Sequence, residues 1–331
     1  MLENYLTLED LGIEGWPNLI LWATPVIFLL VILEWGLSIY YNKDAYDKKD
    51  FFAALTIGLV SAGINALIKV FIFGIVLFFY NLVPWKIPPT WWSFLLCFIA
   101  IDFARYWAHR ISHEQRFWWA THVTHHNSRK YNFSVSFRTG WTQPIKFIFF
   151  IPVIMMGFHP FVFFICHQLA VLYQFWIHTE MIKKLPAPIE YVFVTPSHHR
   201  VHHASDVHYL DRNYGSTLII WDRMFNTFTP EVERPTYGIT KNVNTYNPIY
   251  LVFHEFIDIY KDILKADNLK EVYRILFGKP GEEVIRNRES IEDKTNLPSP
   301  QLSGKKIPVN VLRANHSRSS LPAVQKKTRD N

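Results

Sequence analysis

The chain has 331 residues, half of them hydrophobic, and 55 aromatics made up of 27 Phe, 16 Tyr and 12 Trp. Apolar runs of membrane-spanning length at 18–41, 52–81 and 91–108 exclude a disordered, collagenous or disulfide-stapled chain and point to an all-α integral membrane protein. The net charge of +6 does not imply a nucleic-acid partner, because residues 278–331 hold 11 Lys and Arg against 6 Asp and Glu: a basic tail suited to anionic lipid, with no basic groove elsewhere.

The first sixteen residues carry acids and no Lys or Arg, so they lack the basic start of a cleaved signal peptide, and Asn18 to Tyr41 is expected to remain as a first span. The second run, Phe51 to Leu82, is long and contains Lys69, which predicts a tilted or broken helix. A third run from Trp91 ends in IDFARYWAHR, and a polar, His-rich stretch follows to about Gly140. Trp141 to Gly157 and Pro160 to Trp176 are two short apolar segments around FHP, a helical hairpin turning at 157–160. The only cysteines, Cys97 and Cys166, lie inside apolar runs, so a metal must be held by His or carboxylate.

Orientation follows from the short loops. Lys43, Lys48 and Lys49 follow span one, only Lys86 lies between spans two and three, and Arg110, Arg116, Arg129, Lys130 and Arg138 follow span three. Lys183 and Lys184 after span five fall on the same side, which places the N-terminus outside and the His-rich segments and C-terminus in the cytoplasm. The expected organisation is an N-terminal segment (1–17) and a transmembrane domain of about five segments (18–181) that includes the His-rich cytoplasmic stretch 109–140. A cytoplasmic helical cap (182–277), with an amphipathic helix near 249–264, and a basic, compositionally disordered tail (278–331) complete it.

Thirteen of the fifteen histidines fall between 109 and 208. Their spacing forms three boxes: His109-x3-His113, His122-x2-His125-His126, and His199-x2-His202-His203 preceded by His198. On a helix, i, i+3 and i+4 share a face, so each box is expected to turn its imidazoles toward one point. Imidazole suits iron, zinc and copper, and eight or nine imidazoles exceed the four ligands of one tetrahedral zinc, so two metals are expected. His178 closes span five near the boxes, His167 lies about 16 Å deeper at 1.5 Å per residue, and His159, His254 and His316 read as structural or solvated. Asp102, two turns before His109, is placed to orient an imidazole, as is Glu114 beside His113; pairing with Arg105 or Arg110, and simple surface exposure, are the respective alternatives.

DFARYWAHRISHE, HVTHHNS and SHHRVHHA resemble the three His boxes of the fatty acid hydroxylase / sterol desaturase superfamily. Within it YNFSVSFR, YQFWIHTE, DRNYGSTLIIWDRMFNTF and YGITKNVNTYNPI resemble the alkylglycerol monooxygenases, over about 90–260. The resemblance implies a di-iron centre that activates O2 for attack on a lipid C–H bond, next to an ether oxygen in that subgroup. Electrons would come from tetrahydrobiopterin or an electron-transfer protein. It implies His109, His113, His122, His125, His126, His199, His202 and His203 as iron ligands, His178 and His198 as further ligands or close supporters, and Asp206 and Asn213 as supporting residues of the cap. Zinc can replace iron in a purified protein, since it generally binds such sites more tightly than ferrous iron. Fatty-acyl, sterol-like or carotenoid hydroxylation or desaturation is the nearest alternative; a divalent-metal transporter would need its ligands at mid-bilayer, whereas these boxes lie at span ends.

Overall fold

The computed structural model describes residues 15–281 together with Leu6, Thr7, Glu9, Asp10 and Gly12; all but the first four residues of the expected tail, His316 among them, lie outside the described residues. Among the described residues every regular element is a helix, and β pairing is limited to three isolated bridges. Helix α1 (Leu19–Tyr40) starts where the Asn18 side chain accepts the Leu21 N–H at 3.0 Å, and α2 (Lys48–Leu82) starts where Asp47 accepts from Asp50 at 2.8 Å. Of the two alternatives for the long second run, the break is not taken. At 35 residues α2 is one helix, about 52 Å at 1.5 Å per residue, and Lys69 is exposed with its Nζ 5.7 Å from the Phe73 ring centroid.

Both helices are long and apolar enough to cross a membrane. Both turn large apolar side chains outward. On α1 the buried side chains are Val31, Glu34 and Ser38, while Leu21, Trp22, Ile32 and Ile39 face outward. Leu67, Val70 and Phe71 do the same on α2. Such a surface is stable against lipid and costly in water.

Helix α3 (Trp91–Glu114) is continuous from apolar sequence into the first His box. Its next elements are short: α4 (Arg116–Ala120), α5 (Val123–His126) and a 3-10 turn at Phe133–Phe137. The expected fourth segment is a 3-10 helix, Gln143–Phe150, followed by α6 (Ile151–Met155), because Pro144 and Pro152 each lack an N–H and restart the helix. Gly157 then turns the chain at φ +88°; a Cβ there would lie 2.8 Å from the Trp85 carbonyl oxygen. Helix α7 (Pro160–Trp176) packs along α3 through Cys97, Ile101, Val162, Phe163, Cys166 and Ala170.

Helices α8 (Ala187–Val192), α9 (Pro196–His202) and α10 (Ile220–Met224) are single turns or little more. The expected amphipathic helix is α11 (Pro248–Ile263), which lays Leu251 and Val252 on Ala53 and Ile57 of α2; α12 (Leu269–Phe277) follows it. Buried polar ties lock the short elements to the long ones. Glu34 accepts from the Tyr46 hydroxyl (2.5 Å), the Phe133 N–H (2.8 Å) and the Thr179 hydroxyl. Arg138 donates to Asp50 Oδ1 (2.5 Å) and to Asn127 Oδ1, and Ser128 donates to Asp50 Oδ2 at 2.7 Å.

Candidate metal centre

The last turns of α3 carry His109 and His113 on one face, as i, i+4 spacing requires. The other two boxes do not each face one point. His122, His126 and His202 join the first box, so that one ligand atom from each of these five residues lies within 4.8 Å of the others. His125, His178, His199 and His203 form a second group on the same criterion. Each of boxes two and three sends an i, i+4 pair or its i+3 member to opposite groups, and this division corrects the expectation of one point per box. The groups adjoin, with the His126 and His203 rings stacked at 4.3 Å.

Within the second group, Nε2 atoms face Nε2 atoms: His178 to His125 at 3.1 Å, His199 to His178 at 3.0 Å, His203 to His125 at 3.1 Å and His203 to His199 at 3.2 Å. In the first group His109 and His126 approach His122 at 2.9 and 3.1 Å, His202 approaches His126 at 3.2 Å, and His113 Nε2 is buried without a partner. Protons cannot satisfy all of these contacts, because a neutral imidazole has one N–H and several Nε2 atoms meet two others. His178 Nδ1 donates to the Gln174 carbonyl (2.6 Å), His109 to Tyr214 (2.8 Å) and His202 to Arg212 (3.0 Å), which leaves a bare lone pair on the inward Nε2 of these three residues. Two imidazole nitrogens each about 2.0–2.1 Å from a common ion and at right to tetrahedral angles are about 2.8–3.4 Å apart, so the spacing fits two metal positions.

Burial, then the neighbouring imidazoles, hold His122, His125, His126, His199 and His203 far below the ordinary imidazole pKa, and burial takes His178 to about 4. All are therefore neutral near pH 7, the state that binds a metal. Lys146 contributes to the lowering at His122 and His125; its side chain is buried, and among the described residues no hydrogen bond or ion pair engages its ammonium.

The remaining candidates stand apart from the two groups. His198 lies beside box three on sequence, but its Nε2 pairs with Glu190 at 2.9 Å and its Nδ1 accepts the Thr195 N–H, so neither nitrogen is free for a metal. Asp102 orients no imidazole: it accepts from Thr217 N (2.7 Å), Leu218 N (3.1 Å) and Trp221 Nε1 (2.9 Å), and so ties α3 to the loop before α10. Glu114 is a half-exposed partner of Arg110 at 2.8 Å. Asp206 accepts the Thr236 N–H at 2.7 Å, and Asn213 bridges His198 and Thr229. His159 caps α7 and His167 lies between Phe150 and Phe163.

The sequence reading missed the carbonyls of Gln174, Arg212 and Tyr214, which have no side-chain signature. Left-handed turns at Asp211 (φ 58°) and Asn213 (φ 56°) set the last two, and Asp and Asn adopt that conformation more readily than most residues.

Comparison with known proteins agrees with this geometry. The family model "Fatty acid hydroxylase" matches residues 94–227, which include all nine clustered histidines. Alkylglycerol monooxygenase of Xenopus tropicalis is 34% identical over 307 residues, covering 90% of this chain and 66% of that protein. The human protein of the same name is 34% identical over 316 residues, covering 92% and 67%. An ornithine lipid hydroxylase of Rhizobium tropici is 27% identical over 170 residues, covering 47% and 49%. The chain thus spans about two-thirds of the length of the alkylglycerol monooxygenases it matches. No solved structure matches it.

Proposed function

The chain belongs to the fatty acid hydroxylase family, and on that premise we propose that it is a membrane-bound di-iron monooxygenase that uses O2 to hydroxylate a lipid C–H bond, with a carbon next to the ether oxygen of an alkylglycerol as the favoured position. The observation that carries the proposal is the pair of adjoining groups of inward-facing Nε2 lone pairs. His109, His113, His122, His126 and His202 would hold one iron, and His125, His178, His199 and His203 the other; when bound, the irons supply the activation of O2.

The chain's own residues do the rest. The carbonyls of Gln174, Arg212 and Tyr214 fix three imidazole tautomers, and such supporting contacts stiffen the ligands. Burial of nearly every imidazole keeps water away.

We further place about five spans in the membrane, with the His-rich stretch 109–140, the cap 182–277 and the C-terminus on the cytoplasmic side. The outward apolar faces of α1 and α2 and the Lys and Arg of the short loops support this. The electron donor is tetrahydrobiopterin or an electron-transfer protein. The test is anaerobic iron reconstitution followed by O2 and 1-O-alkylglycerol, read by mass spectrometry. Expected are about two irons per chain and a product that has gained one oxygen or split to an aldehyde; oxygen uptake without any altered lipid would overturn the assignment.

A further inference from the structure

The loop between α9 and α10 meets three imidazoles of the first group at their outer nitrogens. Its Tyr214 carbonyl accepts from His109 Nδ1 at 2.8 Å and its Arg212 carbonyl from His202 Nδ1 at 3.0 Å. The third contact is a charge: Asp211 Oδ1 lies 3.6 Å from His113 Nδ1, an ion-pair distance longer than a hydrogen bond. Among the described residues no other of the nine clustered imidazoles has a carboxylate oxygen within 4.0 Å. On the far side of the same ring, His113 Nε2 is buried without a partner. The loop offers the carboxylate from a fixed base. The Asn213 N–H donates to the Thr227 carbonyl at 3.0 Å, Asn213 Nδ2 donates to the Thr229 carbonyl at 2.8 Å, Asp222 accepts from the Tyr214 and Gly215 N–H groups, and Asp211 itself is left-handed at φ 58°.

We propose that Asp211 is a positioning residue of the first metal position: its charge keeps the single proton of His113 on Nδ1, turns the Nε2 lone pair inward and strengthens that imidazole as a ligand. A neutral imidazole carries one N–H, and an anion beside Nδ1 favours the tautomer with the proton there. A bound dication draws electron density out of the ring and makes the Nδ1–H a better donor, so carboxylate and metal reinforce each other across the imidazole. A neutral carbonyl does the same more weakly. The second group has no such charge: His178 leans on the Gln174 carbonyl alone. On the reading of the two groups as metal positions, on which this inference rests, the first is therefore the one whose affinity depends on an anion outside its ligand set. The Asp211 side chain is 58% exposed, so solvent screening places its effect at the low end, about tenfold, of what loss of a supporting contact costs.

The test titrates the metal-stripped full chain in detergent with zinc, in competition with a chromophoric chelator. The parent should bind two zinc ions per chain. Asp211→Asn removes the charge alone, because Asn adopts the left-handed backbone as Asp does and keeps an oxygen on the same side-chain stem. With its side chain exposed and its turn preserved, the variant should fold as the parent does. It should bind one ion about tenfold more weakly and the other with parent affinity. In the His199→Ala background, which lacks a ligand of the second group, the ion that remains should show the same tenfold loss. Glu233→Gln, which removes an equal charge from beside the exposed His208, should bind both ions as the parent does. Parent affinities in Asp211→Asn, an equal loss at both ions, no loss in the His199→Ala background, or the same loss in Glu233→Gln would each overturn the proposal and leave the two metal positions standing. A parent chain that binds fewer than two zinc ions would overturn the reading of the two groups, and the proposal with it.

Discussion

The outer faces of α1 and α2 and the polar region built from residues 115–140 and 195–230 are stabilised by opposite means. The helices expose their apolar side chains and satisfy their backbone internally, so that any one outward residue matters little. The polar region has only short helices and irregular chain, yet it buries Arg138, Asn127, Asn213, Asp222 and most of the clustered imidazoles. Asp222 alone accepts from Tyr214 N and Gly215 N, each at 2.7 Å, and from the Thr227 hydroxyl at 2.6 Å. Regular structure is cheap to specify, whereas a converging set of lone pairs needs a scaffold in which nearly every buried polar atom already has its partner.

The largest effect should come from removing one imidazole from each group. His126→Ala and His199→Ala are each expected to lower metal content and abolish turnover, weakening metal binding by more than the roughly 10–100-fold that loss of a supporting contact costs. His208→Ala, exposed, paired with Glu233 at 3.3 Å and outside both histidine groups, should leave both unchanged. Metal analysis beside the turnover assay checks this; a folded His199→Ala protein with parent metal content would remove the second group from the centre.

How much of this was legible in the sequence follows the same division. The bounds of α1, the start of α3 and the hairpin turn at Gly157 could be read from apolar runs and FHP, because an apolar helix writes its length directly into composition; α3 runs on through the first His box to Glu114, past the end of its apolar run. The region 143–155 could not, since two prolines break an apolar run without changing its hydropathy. Box spacing brought out eight of the nine clustered histidines, and the ninth, His178, came from its place at the end of span five. Spacing could not show that His125 leaves His122 and His126 for the other group, which depends on where the four-residue α5 ends, nor that His198 turns to Glu190.

The next prediction sets the two regions directly against each other. Asp50 is the hub of the Arg138, Ser128 and Asn127 network, and removing one partner of a buried pair leaves the other charge uncompensated. Asp50→Ala is expected to cost about 3–5 kcal/mol. Leu67→Ala, at a position 85% exposed on α2, should stay within about 0.5 kcal/mol. Thermal unfolding of the two zinc-loaded variants in one detergent gives the comparison, and equal losses would mean that the outer face of α2 is packed against protein.

The smallest effect is a pH dependence confined to the polar region. Burial pushes the Glu190 carboxyl up, but the His198 hydrogen bond, the Leu185 N–H at 2.8 Å and the Thr195 hydroxyl at 2.8 Å outweigh it and bring the group from 4.5 down to about 2. Because the folded value is depressed, the unfolded chain binds more protons between these two values. The carboxylate's contribution is then fully present above pH 4.5 and is lost as pH falls from 4.5 toward 2. Glu190→Gln can still accept from Leu185 and Thr195 but cannot titrate. Its stability at neutral pH should be lower than the parent's, and the gap should shrink on acidification through that window in the same chelating buffer, where metal loss is common to both proteins. A gap that stays constant down to pH 3 would show that Glu190 supports His198 and α9 by shape alone and that its charge adds nothing to the fold.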